Sequence, residues 1–492
     1  MYSLFRILGY STIEMVQKIA QGNIVSAELV QQFQQFSPAN NLGDVLRVLR
    51  HEDSHIAPLY FVLGNLWLSL WGDSAVALRS MSVIFSLATL PGLYWLCMEL
   101  FGDRLVAKCA VALMAISPIS LVFAQEARFY ALWLGLLIYA GAALLHALRC
   151  NTHRSWAAFV LLATLALYTN LLSVIPITAY SLYAIAVHVK RDRYLAIKAV
   201  TACTGSLLAF SPWLAIYLGR EQLQTDELTD VQTSLPAVAK HWLMLMSRGL
   251  MDFNLNGHTK PVILGFVALM TLGVCVLVAH SFYRLVRATA PRVWLFVLTL
   301  LLAMPVGVFN QILSTRMPPR YLLPMYLGML LPLAYVAALS LKGGRVPGWL
   351  KVTRMGVIGV VVTSIFASGM MVRSEVWWNK QFSNCNPAIA RFVNQAEKPL
   401  IISDGTGQVF FDHALSNVIS LSRLVKPNVA FQLTIEGKTP VIPETGYSDR
   451  FVLTPSASLL SWLKGQYGDR LVKVHQSVSD YRGSDVCLWR IR

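Results

Sequence analysis

Ten long apolar runs, separated by short polar breaks, occupy most of the chain between residues 76 and 372. They are Val76–Leu100, Cys109–Phe123, Ala131–Leu148, Trp156–Leu167, Leu171–Val189, Ala199–Leu218, Pro261–Tyr283, Val293–Leu313, Tyr321–Leu341 and Met355–Val372. A helix that crosses a bilayer needs about 20 mostly apolar residues. Several runs meet that length outright, and the shorter ones gain it from uncharged flanks. Mid-bilayer offers no water to satisfy the backbone, so spanning runs of this kind must be helical. Composition agrees. Of 492 residues, 55% are hydrophobic and 13% charged, against about 25% charged in soluble domains. Disordered, collagen-like and small disulfide-rich chains are thereby excluded. The expectation is an all-α polytopic membrane protein of about ten transmembrane helices.

The net charge of +16, from 41 Lys+Arg and 25 Asp+Glu, would fit a nucleic-acid partner if it were spread over one face. Its distribution says otherwise. Residues 375–492 hold 13 basic and 10 acidic side chains, so most of the excess lies among the apolar runs. There it alternates. Arg104/Lys108, Arg149/Arg154, Lys190/Arg191/Arg193/Lys198, Arg284/Arg287/Arg292 and Lys342/Arg345/Lys351/Arg354 put 15 cations in five short loops. The intervening breaks carry fewer: Arg128, none at Tyr168–Asn170, four in the long loop Gly219–Lys260, and Arg316/Arg320. Lys and Arg accumulate in short cytoplasmic loops, so the first set marks the cytoplasmic side. Nucleic acid drops out as a partner.

The same parity places residues 1–75 outside, although no signal peptide begins the chain. Ala57–Trp71 is apolar but only about 22 Å long as a helix. Counting it as a span would put every basic loop outside. It is expected to lie along the outer interface, with Trp67 and Trp71 at headgroup level. A translocated region of this size normally follows a membrane helix, so a first helix is expected upstream of Met1. Gly219–Lys260, with Asp226, Glu227, Asp230, Asp252 and His258, reads equally as a loop over a site or as a solvated connector.

From residue 374 the pattern changes to short β-like runs at Leu400–Ser403, Val429–Leu433, Phe451–Leu453, Leu471–Val474 and Val486–Ile491, with a helical stretch at Ala457–Tyr467. The expected organisation is an external first loop over 1–75, a membrane domain over 76–373 and an external α/β domain over 374–492. That domain shows no phosphate loop, GxGxxG or nucleophile elbow. Cys97, Cys109, Cys150, Cys203 and Cys275 fall in or beside apolar runs, where Cys acts as a small hydrophobe. Cys385 and Cys487 share the C-terminal unit, either as thiols or as a disulfide. Neither CxxC nor HExxH occurs, and no metal ligands are assigned.

Ionisable groups at membrane depth are costly and usually functional, which directs attention to the outer helix ends. Three clusters converge there: His51-Glu52-Asp53-Ser54-His55, Gln125-Glu126-Ala127-Arg128-Phe129-Tyr130, and Arg316-Met317-Pro318-Pro319-Arg320-Tyr321. Glu126 and Arg128 could form a plain surface ion pair, but their turn is too short to need one for solubility. Glu52 and Asp53 read equally as a solvated stretch. Arg316 and Arg320 read equally as snorkelling cations.

These stretches also carry a resemblance. Asp53-Ser54-His55-Ile56-Ala57-Pro58-Leu59-Tyr60-Phe61, followed by Trp67 and Trp71-Gly72, is similar to the His-Pro-Pro-Leu-Tyr-Tyr stretch of bacterial polyprenyl-phosphate-sugar glycosyltransferases. These are the GT-C superfamily of dolichyl-phosphate-mannose–protein mannosyltransferases and lipid A aminoarabinose transferases. Ala77-Leu78-Arg79, Ser117-Pro118, Gln125 to Tyr130, Leu167-Tyr168-Thr169-Asn170, Ser211-Pro212-Trp213 and Arg320-Tyr321-Leu322-Leu323-Pro324 follow in order. The resemblance runs from Met1 to about Leu341. Two departures stand out. His55-Ile56-Ala57-Pro58 replaces His-Pro-Pro, and Asn170 replaces a His. The family's leading Asp-Glu pair would fall just before Met1.

The resemblance implies a GT-C fold and sugar transfer from a polyprenyl-phosphate donor to a lipid, glycan or protein acceptor at the outer face. It implies Glu126, Glu52 and Asp53 as site carboxylates. Arg128, Tyr130, His55, Arg316, Arg320 and Tyr321 would contact substrate, with Arg side chains on the phosphate. No cofactor is expected, although an acidic site of this kind would accept a divalent cation. The competing expectations are a transporter or lipid flippase and an inactive relative. The transporter class tends to show inverted repeats and helices broken at mid-depth. In this chain the charges cluster at helix ends.

Overall fold

The computed structural model describes residues 2–37, 40–219, 234–255, 259–309, 317–342, 348–405, 413–435, 438–479 and 483–492. Among the described residues, each of the ten apolar runs falls largely on helix. Among the described residues, seven helices are long and apolar enough to cross a membrane: Ala75–Phe101, Tyr130–Cys150, Leu171–His188, Arg193–Leu218, Pro261–Ala288, Pro319–Leu341 and Gly348–Arg373. Arg104–Ile116 and Pro118–Ala124 make an eighth if taken as one span with a 62° bend. The count falls short of ten because His153–Thr169 and Pro291–Gly307 have 17 residues each. That is about 25 Å of helix against a hydrocarbon core of about 30 Å.

Polar caps start the helices where the apolar runs begin. Ser74 accepts from Ala77 N–H, Asp103 from Leu105 and Val106, and Asp192 from Tyr194 and Leu195. Thr152 and Ser155 form a reciprocal capping box before His153–Thr169. Each cap satisfies N–H groups that the first helical turn leaves unpaired. Asn170 is a cap too: its Oδ1 accepts from Leu172 N at 3.1 Å. Close helix contacts depend on missing side chains, as where a Cβ on Gly92 would lie 2.7 Å from the Tyr139 ring.

The loops sort to two ends. At one end Lys342 reaches Asp103 at 2.5 Å, Lys198 reaches Asn151 at 2.9 Å, and Arg149 grips both oxygens of Glu99. This end gathers the basic loops. The opposite end gathers residues 125–129, the turn at 317–322, and the segment leading to the C-terminal unit. The stretch 57–71 folds as a 13-residue helix, Leu59–Trp71, which leaves Leu66, Leu70 and Trp71 exposed. Part of the expected long loop is also helix, Leu235–Leu250. Asp226, Glu227, Asp230 and His258 lie outside the described residues.

The C-terminal unit is a six-stranded mixed sheet of order β1-β3-β2-β4-β6-β5. The strands are β1 (Ile24–Ser26), β2 (Pro399–Gly405), β3 (Ala430–Ile435), β4 (Asp449–Leu453), β5 (Leu471–Ser479) and β6 (Gly483–Ile491). β2 pairs in parallel with β3 and β4 and is buried along nearly all its length. Its unbroken apolar run serves two faces. Ile401 points into a core with Val418, Ile419 and Phe431, while Leu400 and Ile402 point into another with Leu459, Leu463 and Trp489. Helices therefore cover both faces, as a parallel centre demands.

One edge of that sheet comes from the other end of the chain. β1 pairs antiparallel with β3, Ile24 opposite Gln432, and Phe5, Met15, Ile19, Val30 and Phe33 join the Ile401 core. Residues 5–33 of the first loop thus share one continuous core with residues 385–488 of the C-terminal unit. Cys385 is in a disulfide, and the side chain of Cys487 lies outside the described residues.

Candidate active site at one end of the bundle

The break at Ser117-Pro118 builds the site. Pro118 starts a new helix, and Ser117 Oγ donates to Gly249 O at 2.7 Å. The short helix Pro118–Ala124 then delivers a tight turn in which Arg128 N–H donates to Glu126 O at 2.7 Å. Tyr130 opens the next span. Glu126 is buried, and its Oε1 accepts from Asn379 Nδ2 at 2.7 Å. Arg128 is exposed at the surface of this recess, although protein surrounds it densely.

Arg320 enters from the one-turn helix Pro319–Leu322. Its guanidinium carbon lies 5.9 Å from the Tyr130 ring centre and 5.3 Å from that of Tyr321. Its Nε is buried and has no hydrogen-bond partner among the described residues. Burial opposes the charge on Arg128, but Tyr130 and Glu126 outweigh it and raise its pKa. Arg128 remains a cation. His241 Nε2 hydrogen-bonds Met317 O at 2.9 Å and so holds the turn that carries Arg320.

Five of the sequence-derived candidates, Glu126, Arg128, Tyr130, Arg320 and Tyr321, therefore meet. Glu52 and Asp53 are held elsewhere, on Arg6. This fully buried guanidinium reaches Glu52 Oε2 and Asp53 Oδ2, both at 2.6 Å, and Thr12 Oγ1 at 2.7 Å. Glu52 also accepts from Thr12 N–H at 2.9 Å and from Ser11 Oγ. The pair is a buried ion cluster rather than a solvated stretch. His55 is exposed one residue after Ser54, whose carbonyl accepts from Trp213 Nε1 at 3.2 Å. Arg316 lies outside the described residues.

Four participants escape sequence reasoning. Tyr60, hydrogen-bonded to Ser82 at 3.0 Å, senses the charges of both Arg128 and Glu126. Asn379 comes from more than 250 residues downstream. Asp252 accepts from Trp377 Nε1 at 2.8 Å and from Trp378 Nε1, and Arg248 stacks 4.1 Å from the Trp378 ring centre. Burial pushes the Asp252 pKa up, against the pull of Arg248 and the two indoles. The adjacent Trp377-Trp378 was the one available signal, since paired indoles beside a span suit an interface. Among the described residues no group of three His, Cys, Asp or Glu side chains converges.

The arrangement defines a class: a polytopic helical membrane protein with a buried carboxylate and two guanidinium groups gathered at one end, next to a three-layer α/β unit. Comparison sharpens it. Residues 55–216, about a third of the chain, match the family model "Dolichyl-phosphate-mannose-protein mannosyltransferase". In the apo state, ArnT from Cupriavidus metallidurans is 14% identical, with a TM-score of 0.50 and coverage of 89% of this chain and 88% of that one. The same protein bound to undecaprenyl phosphate gives 13%, 0.47 and equal coverage. The Archaeoglobus fulgidus oligosaccharyltransferase tethered to an acceptor peptide is 12% identical, with a TM-score of 0.43 over 76% of this chain and 56% of that one. No curated protein sequence matches significantly. The likeness to apo ArnT extends over nearly the whole chain and shows that the two share a fold.

Proposed function

We propose that the protein moves a sugar from a polyprenyl-phosphate donor to an acceptor hydroxyl or amine at the non-cytoplasmic face. The observation that carries this reading is the gathering of Arg128 and Arg320, the latter with an unused buried donor, where both feel the charge of Glu126. The matched family's name supports a lipid-phosphate donor. Sidedness rests on the basic loops at the far end of the bundle.

Two neighbouring cations, one exposed and one half-buried, suit a phosphate that gains negative charge as it leaves. The acceptor oxygen or nitrogen bonds to the anomeric carbon, and the bond from that carbon to the phosphate oxygen breaks. Its electron pair leaves with the polyprenyl phosphate, and the acceptor proton passes to Glu126 as general base. The rings of Tyr130 and Tyr321 lie 5.9 and 5.3 Å from the Arg320 guanidinium and orient it. Asn379 fixes Glu126, and its own Oδ1, buried without a donor, suits a sugar or acceptor hydroxyl. Exposed His55 remains assigned to substrate contact, and Glu52 and Asp53 act through the loop they anchor. The acceptor is a lipid, glycan or protein.

The test is transfer from radiolabelled polyprenyl-phosphate sugar in membranes. Glu126→Gln lowers turnover by about 10²–10⁴-fold, the usual worth of a general base, and Arg320→Gln weakens donor binding. Unchanged transfer in both variants overturns the assignment. Loss of activity in EDTA that Mn²⁺ restores would put a divalent cation on Glu126.

A further inference from the structure

We propose that the groove between helices Pro261–Ala288 and Gly348–Arg373 binds an anionic phospholipid from the surrounding bilayer, at a site separate from the Glu126 cluster. The groove encloses about 610 Å³. Gly273, Gly356 and Gly359 hold the helices' side chains out of it, and Met270, His280 and Trp349 line it. Between Trp349 and Thr363 it follows 14 residues of one helix, about 21 Å. This is comparable with one leaflet of a hydrocarbon core about 30 Å thick, so an acyl chain fits along it.

Its polar features distinguish it from a plain crevice between loosely packed spans. His280 Nε2 is buried and lacks a hydrogen-bond partner among the described residues, an expensive state for a group at membrane depth. One turn further, the Arg284 guanidinium carbon lies 3.6 Å from the Trp349 ring centre. Arg287 on the same helix, and Lys351 and Arg354 on the other, add charge, and neither helix carries a carboxylate. A neutral lipid leaves these cations uncompensated. The phosphodiester of a lipid whose headgroup carries no cation meets both needs: its oxygens accept from His280 Nε2–H and from Arg284.

The position separates this site from the donor site. His280, Arg284 and Trp349 lie toward the end with the basic loops, whereas Arg128 and Arg320 stand at the opposite end. A donor whose phosphate rests on Arg128 and Arg320 leaves this cationic mouth empty. Basic pockets between spans on the positively charged side are suited to anionic headgroups.

The full-length protein in nanodiscs, with and without phosphatidylglycerol in phosphatidylcholine, tests this by native mass spectrometry of retained lipid. Wild-type protein is expected to retain phosphatidylglycerol in preference to phosphatidylcholine. Arg284→Gln lowers that retention about tenfold, as for one lost charge contact. A Cβ on Gly359 meets nothing within 4 Å, so Gly359→Leu fills the groove without a clash and also displaces the lipid. Gly369→Leu, equally open on the same helix but away from the groove, retains it. Equal retention of both lipids, or indifference to Arg284→Gln, overturns the proposal. So does competitive displacement by polyprenyl phosphate, which would make the groove part of the donor path. Sugar transfer is not the readout, so failure here is distinct from failure of the transferase reading.

Discussion

Arg6→Ala isolates the role of the charge cluster in the first loop. The wild-type guanidinium is fully buried and serves two carboxylates at 2.6 Å each. Removing one partner of a buried ion pair costs about 3–5 kcal/mol, because the other charge is left uncompensated. Here two carboxylates lose their cation, so the upper part of that range is expected, against a total stability of about 5–15 kcal/mol. At about 2 °C per kcal/mol for large domains, the thermal midpoint in detergent falls by roughly 6–10 °C. The triple variant Arg6→Met/Glu52→Gln/Asp53→Asn removes charge from both sides. It recovers most of the loss, since well-packed neutral groups often replace buried pairs without penalty. The assay is a thiol-independent unfolding scan of all three proteins, paired with transfer activity. A single variant that loses activity at an unchanged midpoint would refute the reasoning and return Glu52 or Asp53 to the chemistry.

Other substitutions probe the second end of the same argument. Asn379→Ala removes the donor to Glu126 Oε1 and lowers turnover about tenfold with little change in thermal midpoint, while Asn379→Gln restores part of it. Burial and Arg248 lower the pKa of His241, although Met317 O opposes them. Its folded value thus lies below the unfolded value of about 6.5, and the stability it contributes is present above that pH and lost as pH falls toward the folded pKa. Unfolding scans from pH 7 to 5 should show this loss, and His241→Gln should flatten it. Gly249→Ala puts a Cβ 2.6 Å from the ring of Tyr326, which is buried and tied by its hydroxyl to Leu245 O. A cost of about 1–3 kcal/mol follows, readable in the same scans.

The apolar runs made the helical bundle legible, because span length and lack of charge are properties of consecutive residues. The same holds for the turn at 125–130 and the five C-terminal strands. Pairings between distant residues were not legible. Arg6 and Glu52 lie 46 positions apart, and Asn379 and Glu126 lie 253 apart. Nothing local marks β1 as a strand, since three residues acquire that state only from β3. Composition does not register a 62° bend or a helix of 17 residues, so the sequence could not show that three of the ten expected spans would be bent or short. Asp252 looked like one acid among several in a polar loop, and only folding shows the two indoles that share it.

The short helix Tyr2–Ile7 meets three environments within three residues. Phe5 enters the core of the α/β unit, Arg6 takes the two carboxylates, and Ile7 enters the core of the membrane bundle. The strand that completes the first of these environments emerges about 400 residues after β1. At about 5–20 residues per second of synthesis, that is a delay on the order of 20–80 s. For that interval Arg6 already has its carboxylates, while Phe5 beside it lacks the core it will join. An early stretch of chain is therefore among the last to be locked, and damage to the final strands should be felt first at Phe5.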